Sequence, residues 1–414
     1  MYIRVTSPGV LAAITLAAAS IVVGPAAAAA PAPAYYVSPT GADTNNGLSS
    51  AKPFRTLEWA QYTMRKSSIK TVYLMGGLYA RSGILWLAAP DAGQSWLAFP
   101  GQTPVLDGGA RVLQAINVGA GANNVTIRWL TIQNYAATGV FTQNVANVVI
   151  DSNTIKNIYS TGWNQGGIVL LNSFVNGRVT HNLVMNSQYA GILAGNSAGD
   201  RITNLLIDSN AVFNTCTAVV DCGAIYADDR GHASTGIVIN HNVIGKYGSA
   251  RTQATAIYLG QLLSNAMITN NIVYGAGNLA VMILGGDHNI FSNNIFDISL
   301  STSLGKYSNL ANSNYTMNGN AFTCNIVYSS AASPISLWAM DGGEAAPAVS
   351  HNLYWKTTGA LPNLGAIVDG SPTVANPNFV NPGAANYAFS GGSAPNFCAF
   401  KPINTSAVGP LPNN

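Results

Sequence analysis

The chain has 414 residues, which is enough for one elongated solenoid or for two ordinary domains. Only 8% of the residues are charged, against about a quarter in typical soluble proteins, whereas the 42 glycines make glycine abundant. Such a composition favours strands and turns over helices. A net charge of +3 spread over this length gives no basic surface, so a nucleic-acid partner is not expected.

The first 30 residues have the pattern of a signal peptide. Arg4 supplies the positive start, Val10–Val23 form an apolar run, and Gly24–Ala30 form a region of small residues at which cleavage occurs. The apolar run is about 14 residues long, short of the roughly 20 that span a bilayer. We therefore expect a secreted or periplasmic protein, cleaved near Ala30, with no membrane span in the mature chain.

Residues 35–124 predict an N-terminal cap and the first, less regular coils of a solenoid. Thr56 to Arg65 predict a short helix, because Leu57, Ala60 and Met64 fall on one helical face. Such a helix would cover the open end of the solenoid, where an exposed strand edge otherwise promotes aggregation. Strands are predicted after it at Val72–Leu74, Ile84–Leu87, Trp96–Phe99 and Val105–Leu106.

From residue 125 to 356 the chain repeats one short phrase: an apolar pair, two polar residues, an asparagine and further apolar residues. The eight instances end at Asn153, Asn182, Asn210, Asn242, Asn271, Asn294, Asn320 and Asn352. An irregular spacing of this order is typical of stacked coils with inserted loops of different length. Since each copy buries its apolar residues only against its neighbours, the repeat predicts an all-β parallel solenoid.

Two phrases resemble those of a known group of proteins. Tyr35–Pro39, followed by Gly41–Gly47 and Lys52–Leu57, resembles the opening of many secreted right-handed parallel β-helix proteins, and the coils resemble the wider pectin-lyase-like group. Asn376–Pro382 resembles the phrase with which these proteins often end. The resemblance implies a single right-handed parallel β-helix over residues 31–414, with a short helical N-terminal cap and an irregular C-terminal cap over 357–414. Because the group contains lyases, hydrolases, epimerases and non-enzymes, it implies a fold and leaves the activity open.

Two specific enzyme families of this group are not matched. The Asn-Thr-Asp, Gly-His-Gly and Arg-Ile-Lys motifs of polygalacturonases and the Trp-Ile-Asp-His-like phrase of pectate lyases are missing from the sequence. Ile225–Asp229 and Ile257–Leu259 instead resemble an Ile-Tyr-Leu-Asp-Asp-like phrase of secreted β-helix proteins whose activity is mostly unassigned. No catalytic residue is carried over from either enzyme family.

A second strand aligns without gaps in five successive coils. Since side chains alternate along a strand, the first and third positions of each segment are expected in the core, and the second and fourth on the outer face. The aligned segments are Ile168–Leu171, Ile192–Gly195, Ile225–Asp228, Ile257–Gly260 and Met282–Gly285.

Asp228 is the one acidic residue in the outward fourth position, which is glycine in the coil before it and in the two coils after it. Glycine within a strand often marks the close approach of another molecule. Tyr226 and Tyr258 share the outer face and suit packing against sugar rings. The pattern predicts a carbohydrate site around Asp228; the alternative is an exposed aspartate beside turn glycines.

Three further residues are candidates near Asp228. Asp229 either forms a coupled carboxylate pair with it, of which one member has a raised pKa, or bonds backbone amides in a turn. Asp287 follows the same strand two coils later, so the stacking of coils predicts a separation of roughly 9–10 Å from Asp228. That is near the upper end of the roughly 6.5–9.5 Å of inverting glycosidases. Arg230 either binds the carboxylate of an acidic sugar or is solvated.

The repeat also sorts the five histidines. His181, His241 and His351 each directly precede a repeat asparagine, so we interpret them as structural. His232 and His288 remain as candidate proton carriers at neutral pH.

The four cysteines suit an oxidising compartment. Cys216 and Cys222 are close enough in sequence to staple a loop, and Cys324 with Cys398 would tie the C-terminal tail to a late coil; buried free thiols are the alternative. Because no Cys-x-x-Cys pair exists, zinc is not expected.

These features favour a secreted enzyme that cleaves a polysaccharide in a groove around Asp228. In the preferred hydrolase form, one of Asp228, Asp229 and Asp287 protonates the leaving oxygen while another activates water, without a cofactor. A lyase acting on a uronate-containing glycan is the first alternative; its base would be a histidine or tyrosine, assisted by Arg230 or by Ca²⁺ held by aspartates. A non-catalytic glycan-binding or surface protein is the second. Coils of this kind form monomers or trimers, and the sequence favours neither.

Overall fold

Each coil contributes one strand to each of three parallel sheets, here named A, B and C, and the coils stack into a solenoid. The chain passes from sheet A to sheet B, then to sheet C and back to sheet A. The predicted signal peptide and its cleavage point lie outside the described residues. The computed structural model describes residues 33–248, 254–275, 277–309, 316–331, 336–341, 345–357 and 367–414.

Parallel pairing connects every strand with its counterparts in the neighbouring coils. Sheet A consists of Tyr35–Val37, Thr71–Leu74, Ser95–Ala98, Thr126–Arg128, Val149–Asp151, Arg178–Thr180, Leu206–Asp208, Val238–Asn240, Met267–Thr269, Ile290–Ser292, Ala321–Thr323 and Ala348–Ser350. Sheet B consists of Gly77–Ala80, Pro104–Asp107, Thr131–Tyr135, Thr154–Ile158, Leu183–Ser187, Ala211–Thr215, Val243–Gly245, Ile272–Tyr274, Ile295–Asp297, Ile326–Ser329, Leu353–Lys356 and Thr373–Val374. Sheet C consists of Leu85–Leu87, Gln114–Val118, Thr138–Ala146, Gly166–Val175, Ala190–Asn196, Cys222–Asp229, Ala254–Leu259, Gly277–Leu284, Ser301–Ser308 and Ser336–Asp341, with Ile202–Thr203 paired to one of them. The predicted all-β parallel solenoid is confirmed.

Buried asparagines form a ladder at the corner between sheets A and B. The amide nitrogen of Asn242, for example, donates to the backbone oxygen of Ile207 and to the side-chain oxygen of Asn271, both at 3.0 Å. Each rung therefore satisfies backbone groups that the corner would otherwise leave unpaired. The rungs are Asn153, Asn182, Asn210, Asn242, Asn271, Asn294, Asn325 and Asn352.

One predicted rung was wrong: Asn325, not Asn320, continues the ladder. Asn320 lies at a different corner, between sheets C and A, where its side-chain oxygen accepts from the backbone nitrogen of Asn289 at 2.8 Å. Asn320 and Asn325 are five positions apart, and each directly precedes apolar strand residues. The repeated phrase alone therefore did not show which of the two belongs to the ladder.

The residue before each rung has a left-handed backbone, which histidine and asparagine adopt more readily than most residues. His181, His241 and His351 have φ of 53°, 50° and 57° there. The structural interpretation of these three histidines agrees with that geometry.

The predicted N-terminal helix is present as Leu57–Arg65. The hydroxyl of Thr56 caps it by accepting from the backbone nitrogen of Trp59 at 3.2 Å, and Leu57, Ala60 and Met64 are buried as expected. In the described part of the chain, no helix is long and apolar enough to cross a membrane.

Both predicted disulfides are present, Cys216–Cys222 and Cys324–Cys398. The second joins a late coil to the C-terminal cap, which contains the antiparallel pair Phe379–Asn381 and Asn386–Phe389. Aromatic residues of this cap pack on the outer face of sheet B.

The last residues differ from the predicted C-terminal cap, because residues 401–414, here named the strap, run back along the solenoid. The strap meets progressively earlier coils and ends near the N-terminal ones. Its backbone and side-chain hydrogen bonds join, in order, Lys401 to Asn293, Gly409 to Ser209, Leu411 to Ser152 and Asn413 to Phe99.

Candidate functional site

A cavity of about 340 Å³ lies on the outer face of sheet C, between the loops that enter this sheet and the loops that leave it. Leu171, Leu193 and Gly195 form part of its floor. The polar and aromatic residues that line it include Trp163, Tyr189, Asp221, Tyr226, Asp228 and Arg230.

Asp228 lies in this cavity, on the outward position of the strand Cys222–Asp229, as the sequence predicted. Parallel pairing places Gly195 beside it in the preceding coil, and Gly195 has no side chain to fill the space in front of the carboxylate. A methyl group on Gly195 would meet Asp228 at 3.8 Å, an ordinary contact, so glycine here leaves space rather than relieving a clash.

The side chain of Asp228 is 12% exposed, and its two carboxylate oxygens differ in their contacts. Oδ2 accepts from Nε of Arg230 at 2.9 Å, whereas Oδ1 is buried without a hydrogen-bond partner among the described residues. Burial raises the pKa of Asp228 to about 6, Arg230 opposes that rise, and the nearby Asp229 and Asp221 add to it. At pH values below about 6 the carboxyl group is therefore mostly protonated.

Tyr226 and Tyr258 stack face to face, with ring centroids 4.4 Å apart and planes within 2°. Their faces contact each other and they are only 7% and 3% exposed, so the predicted packing of both rings against sugars is not what the structure shows. Tyr226 lines the cavity through its edge. Glycine at position 260 leaves room for this stacked pair, because a methyl group there would lie 2.6 Å from the ring of Tyr226.

A second carboxylate, Asp221, faces the cavity from the loop that enters the strand Cys222–Asp229. The adjacent disulfide Cys216–Cys222 closes this loop at its base. The hydroxyl of Tyr189 donates to the backbone oxygen of Asp221 at 3.1 Å and fixes the loop from the previous coil. Sequence reasoning left Asp221 out; its position next to a paired cysteine was the available signal.

Tyr226 and Tyr258 lie close to both carboxylates, whose charges act on them. Arg230 is hydrogen-bonded to Asp228 and also lies close to Tyr226. Burial raises the pKa of both tyrosines far above the usual range, so they stay neutral and act as hydrogen-bond donors.

Trp163 is the aromatic side chain that sequence analysis missed. It is 70% exposed at the cavity mouth, in the loop before the strand Gly166–Val175. A solvent-exposed indole beside buried polar groups is a suitable platform for the apolar face of a sugar ring. Because this loop lies outside the repeated strands, the alignment gave no indication of it.

Asp229 does not share the cavity with Asp228. It is 1% exposed, and its carboxylate accepts from the side chain of Asn196 and from the backbone and hydroxyl of Ser234, the latter two at 2.9 Å. These bonds fix the loop that carries Arg230. This geometry fits the turn-forming interpretation, and Asp229 is not among the residues that line the cavity.

Asp287 and His288 lie beyond the end of the strand Gly277–Leu284, in the turn towards sheet A. Asp287 accepts from the hydroxyl of Thr316 at 2.7 Å and from the backbone of Asn318 at 2.6 Å. Neither residue is among those that line the cavity, so the predicted pairing of Asp287 with Asp228 across it is wrong.

The cause is a register error of one residue. Ile257 pairs with Val281 and Tyr258 with Met282, whereas the alignment had paired Ile257 with Met282. Both faces of this strand are apolar, and no charge marks the outward side, so the sequence pattern did not fix the register.

His232 is exposed in the turn after Arg230, with a φ of 49°, and its backbone nitrogen donates to Asp229 at 2.9 Å. It also is not among the residues that line the cavity. The proton-carrier hypotheses for His232 and His288 therefore lack the required placement. Among the residues that the structure describes, no group of three or more His, Cys, Asp or Glu side chains is arranged around a metal position.

Comparisons with known proteins agree with this architecture. A family model described as "Right handed beta helix region" matches residues 114–296. The structure of a GH136 lacto-N-biosidase from Eubacterium ramulus is similar with a TM-score of 0.60 and 12% identity, covering 83% of this chain and 67% of that one. A structure named glycoside hydrolase is similar with a TM-score of 0.56 and 9% identity, covering 79% and 96%. No curated protein matches the sequence significantly. At these identities the likeness concerns the fold.

Proposed function

Since the chain is a right-handed parallel β-helix protein, as its sequence resemblance implied, we propose that it is a glycoside hydrolase that cleaves a polysaccharide in the cavity around Asp228. The observation that carries the proposal is the buried carboxyl group of Asp228, which lines the cavity and has one oxygen without a hydrogen-bond partner among the described residues. The fold of the two named glycoside hydrolases supports it as an analogy. The two disulfides fit a secreted or periplasmic location.

Asp228 acts as the general acid. Its raised pKa keeps the carboxyl group protonated at mildly acidic pH, and this group delivers the proton to the leaving glycosidic oxygen. Arg230, held on Oδ2, fixes the orientation of the carboxyl group and stabilises the carboxylate that the transfer leaves behind.

Asp221 acts as the base. It removes a proton from a water molecule as the oxygen of that water bonds to the anomeric carbon, while the bond to the leaving oxygen breaks. The disulfide at the base of its loop and the hydrogen bond from Tyr189 to its backbone oxygen hold Asp221 at the cavity. Protons balance, because one leaves Asp228 and one is gained by Asp221.

The charges of the cavity favour a neutral sugar. Two carboxylates, Asp221 and Asp228, face one guanidinium, that of Arg230, and that guanidinium already pairs with Asp228. A uronate would add a further negative charge to this arrangement, whereas a neutral ring can stack on Trp163 without that cost.

A polysaccharide lyase is the second candidate, and Arg230 is the observation that favours it. Its side chain is 54% exposed and would reach the carboxylate of a uronate if it released Asp228. With Arg230 on Oδ2 of Asp228, the carboxylates of the cavity do not form a ready site for the Ca²⁺ that such a reaction could use.

A panel of neutral and acidic polysaccharides, incubated with the protein, separates these candidates. The hydrolase proposal expects new reducing ends on a neutral glycan and no absorbance from a carbon–carbon double bond. Products of an acidic glycan that absorb in the ultraviolet would show the lyase instead. If no glycan is cut but some are bound, and binding is lost in Trp163→Ala, the protein is a non-catalytic glycan-binding β-helix.

A further inference from the structure

A second and larger cavity, of about 750 Å³, lies on the outer face of sheet B, beneath one edge of the C-terminal cap. It shares none of its lining residues with the cavity around Asp228. The residues on which its chemistry depends are Lys246, Tyr274, Asp297, Leu300, Tyr328 and Tyr387.

Asp297 is a buried carboxylate held in one orientation. It is 7% exposed; Oδ2 accepts from the hydroxyl of Tyr387 at 2.8 Å, and Oδ1 accepts from the backbone and the hydroxyl of Ser299. Burial raises the pKa of Asp297 although these hydrogen bonds oppose the rise. Because Oδ1 already accepts two hydrogen bonds and Oδ2 only one, Oδ2 can accept a further hydrogen bond from a group in the cavity.

Aromatic and aliphatic surface surrounds this carboxylate. Tyr274 and Tyr387 lie with their ring centroids 5.8 Å apart at 43°, and Tyr328 pairs with Asp297 in the next coil. Leu300 is 70% exposed at the rim. A few fixed polar groups within a mainly apolar concave wall are typical of small-molecule sites.

The cavity begins where an outer asparagine ladder stops. Asn157, Asn186 and Asn214 each donate a side-chain hydrogen bond to the asparagine of the preceding coil. In the next coil Lys246 takes this place with the same left-handed backbone, at a φ of 52°. The change replaces a rung by an exposed ammonium group at the cavity wall.

We propose that this second cavity binds one sugar unit of a neutral glycan, apart from the site of cleavage. The ring of Tyr274 and the side chain of Leu300 contact the apolar face of the sugar, a sugar hydroxyl donates to Asp297, and Lys246 donates to a sugar oxygen. The ammonium group at the wall disfavours an organic cation as occupant. The inference uses only the lining of this cavity and does not depend on the proposed hydrolysis.

Titration calorimetry with four neutral tetrasaccharides, of cellulose, xylan, laminarin and amylose type, tests the proposal. The full chain carries Asp228→Asn and Trp163→Ala, so that the first cavity neither cuts nor stacks. At least one tetrasaccharide should still bind to this protein. If none binds, the proposal is overturned.

Two further changes are then added separately to that protein. Asp297→Asn keeps the shape but removes the charged acceptor, and Ala384→Trp fills the cavity from an exposed position of the cap. Each should weaken binding at least about tenfold, whereas Ala388→Trp, on an exposed position of the same cap that does not line the cavity, should not. Unchanged affinity in both Asp297→Asn and Ala384→Trp would overturn the proposal. A separate variant carries only Ala384→Trp and keeps Asp228. Its rate of hydrolysis of a short soluble substrate tests the first site independently.

Discussion

At the scale of single residues, Asp228 shows how the surroundings decide the role of a carboxylate. Asp228 and Asp229 are neighbours at the end of one strand, yet the side chain of Asp228 lines a cavity and that of Asp229 is hydrogen-bonded within a turn. Asp228 is left with an oxygen that has no partner among the described residues, whereas Asp229 has donors on both oxygens. The same residue type therefore lines a cavity in one position and holds a loop in the next.

The raised pKa of Asp228 predicts that this residue reduces stability at neutral pH. The pKa of Asp228 is about 6 in the folded state, whereas in the unfolded chain it has the ordinary value of an aspartate, about 4. The free energy of unfolding of the wild type therefore falls as the pH rises from about 4 through 6. Asp228→Asn removes this loss and should raise the free energy of unfolding by about 2–3 kcal/mol at pH 7 and by little at pH 4. Urea denaturation at both pH values measures it. An equal effect at both would contradict the pKa argument.

At the scale of elements, the strands of sheets A and B followed from the sequence and those of sheet C only partly. The asparagine corner ties each coil to the next through side chains that only asparagine provides, so its spacing set the register of sheets A and B. The error at Asn320 arose because one coil has two asparagines that both fit the repeated phrase. Sheet C carries no such marker, and its register slipped by one residue after Ile257.

The ladder should be among the most sensitive parts of the protein. Asn242→Ala leaves backbone groups of Asn210 and Ile207 without partners in a fully buried corner, at a cost of about 2–4 kcal/mol in free energy of unfolding. Asn147→Gly is the control, because Asn147 belongs to an exposed ladder and glycine keeps its left-handed backbone. Chemical denaturation of both variants should show a far smaller loss for Asn147→Gly. Equal losses would refute the assigned role of the buried ladder.

The two disulfides provide a matched test of the loop that carries Asp221. Replacing Cys216 and Cys222 by serine frees this loop and should reduce turnover at least about tenfold, since Asp221 loses its position. Replacing Cys324 and Cys398 opens a much longer loop and should lower the melting temperature more while sparing turnover. Assays and thermal denaturation of both double variants compare them. Full activity without the first disulfide would contradict the role of Asp221.

At the scale of the whole molecule, the sequence predicted the solenoid because a repeat is a property of the entire chain, which single substitutions do not hide. The site was harder to predict. Asp228, Tyr226 and Arg230 lie on or directly after a repeated strand and were found, whereas Trp163 and Asp221 lie in loops whose lengths differ from coil to coil. Loop positions depend on contacts with other coils, such as that of Tyr189 with Asp221, and no local pattern encodes them.

The strap adds a long-range connection that the repeat did not predict. Deleting residues 409–414 removes the contacts to Ser209, Ser152 and Phe99 and should lower the melting temperature by a few degrees. Hydrogen exchange should rise along the early coils more than near Asn293, which Lys401 still contacts. Uniform or unchanged exchange would show that the strap does not stabilise those coils.

The central claim is that Asp228 donates the proton that breaks the glycosidic bond. The most direct test measures turnover of a cleaved neutral glycan at about pH 5 by the wild type and by Asp228→Asn, with the affinity of each measured by calorimetry. We expect the variant to lose about 10²–10⁴-fold in turnover while its affinity stays nearly unchanged. A variant that cleaves the glycan as fast as the wild type would contradict it.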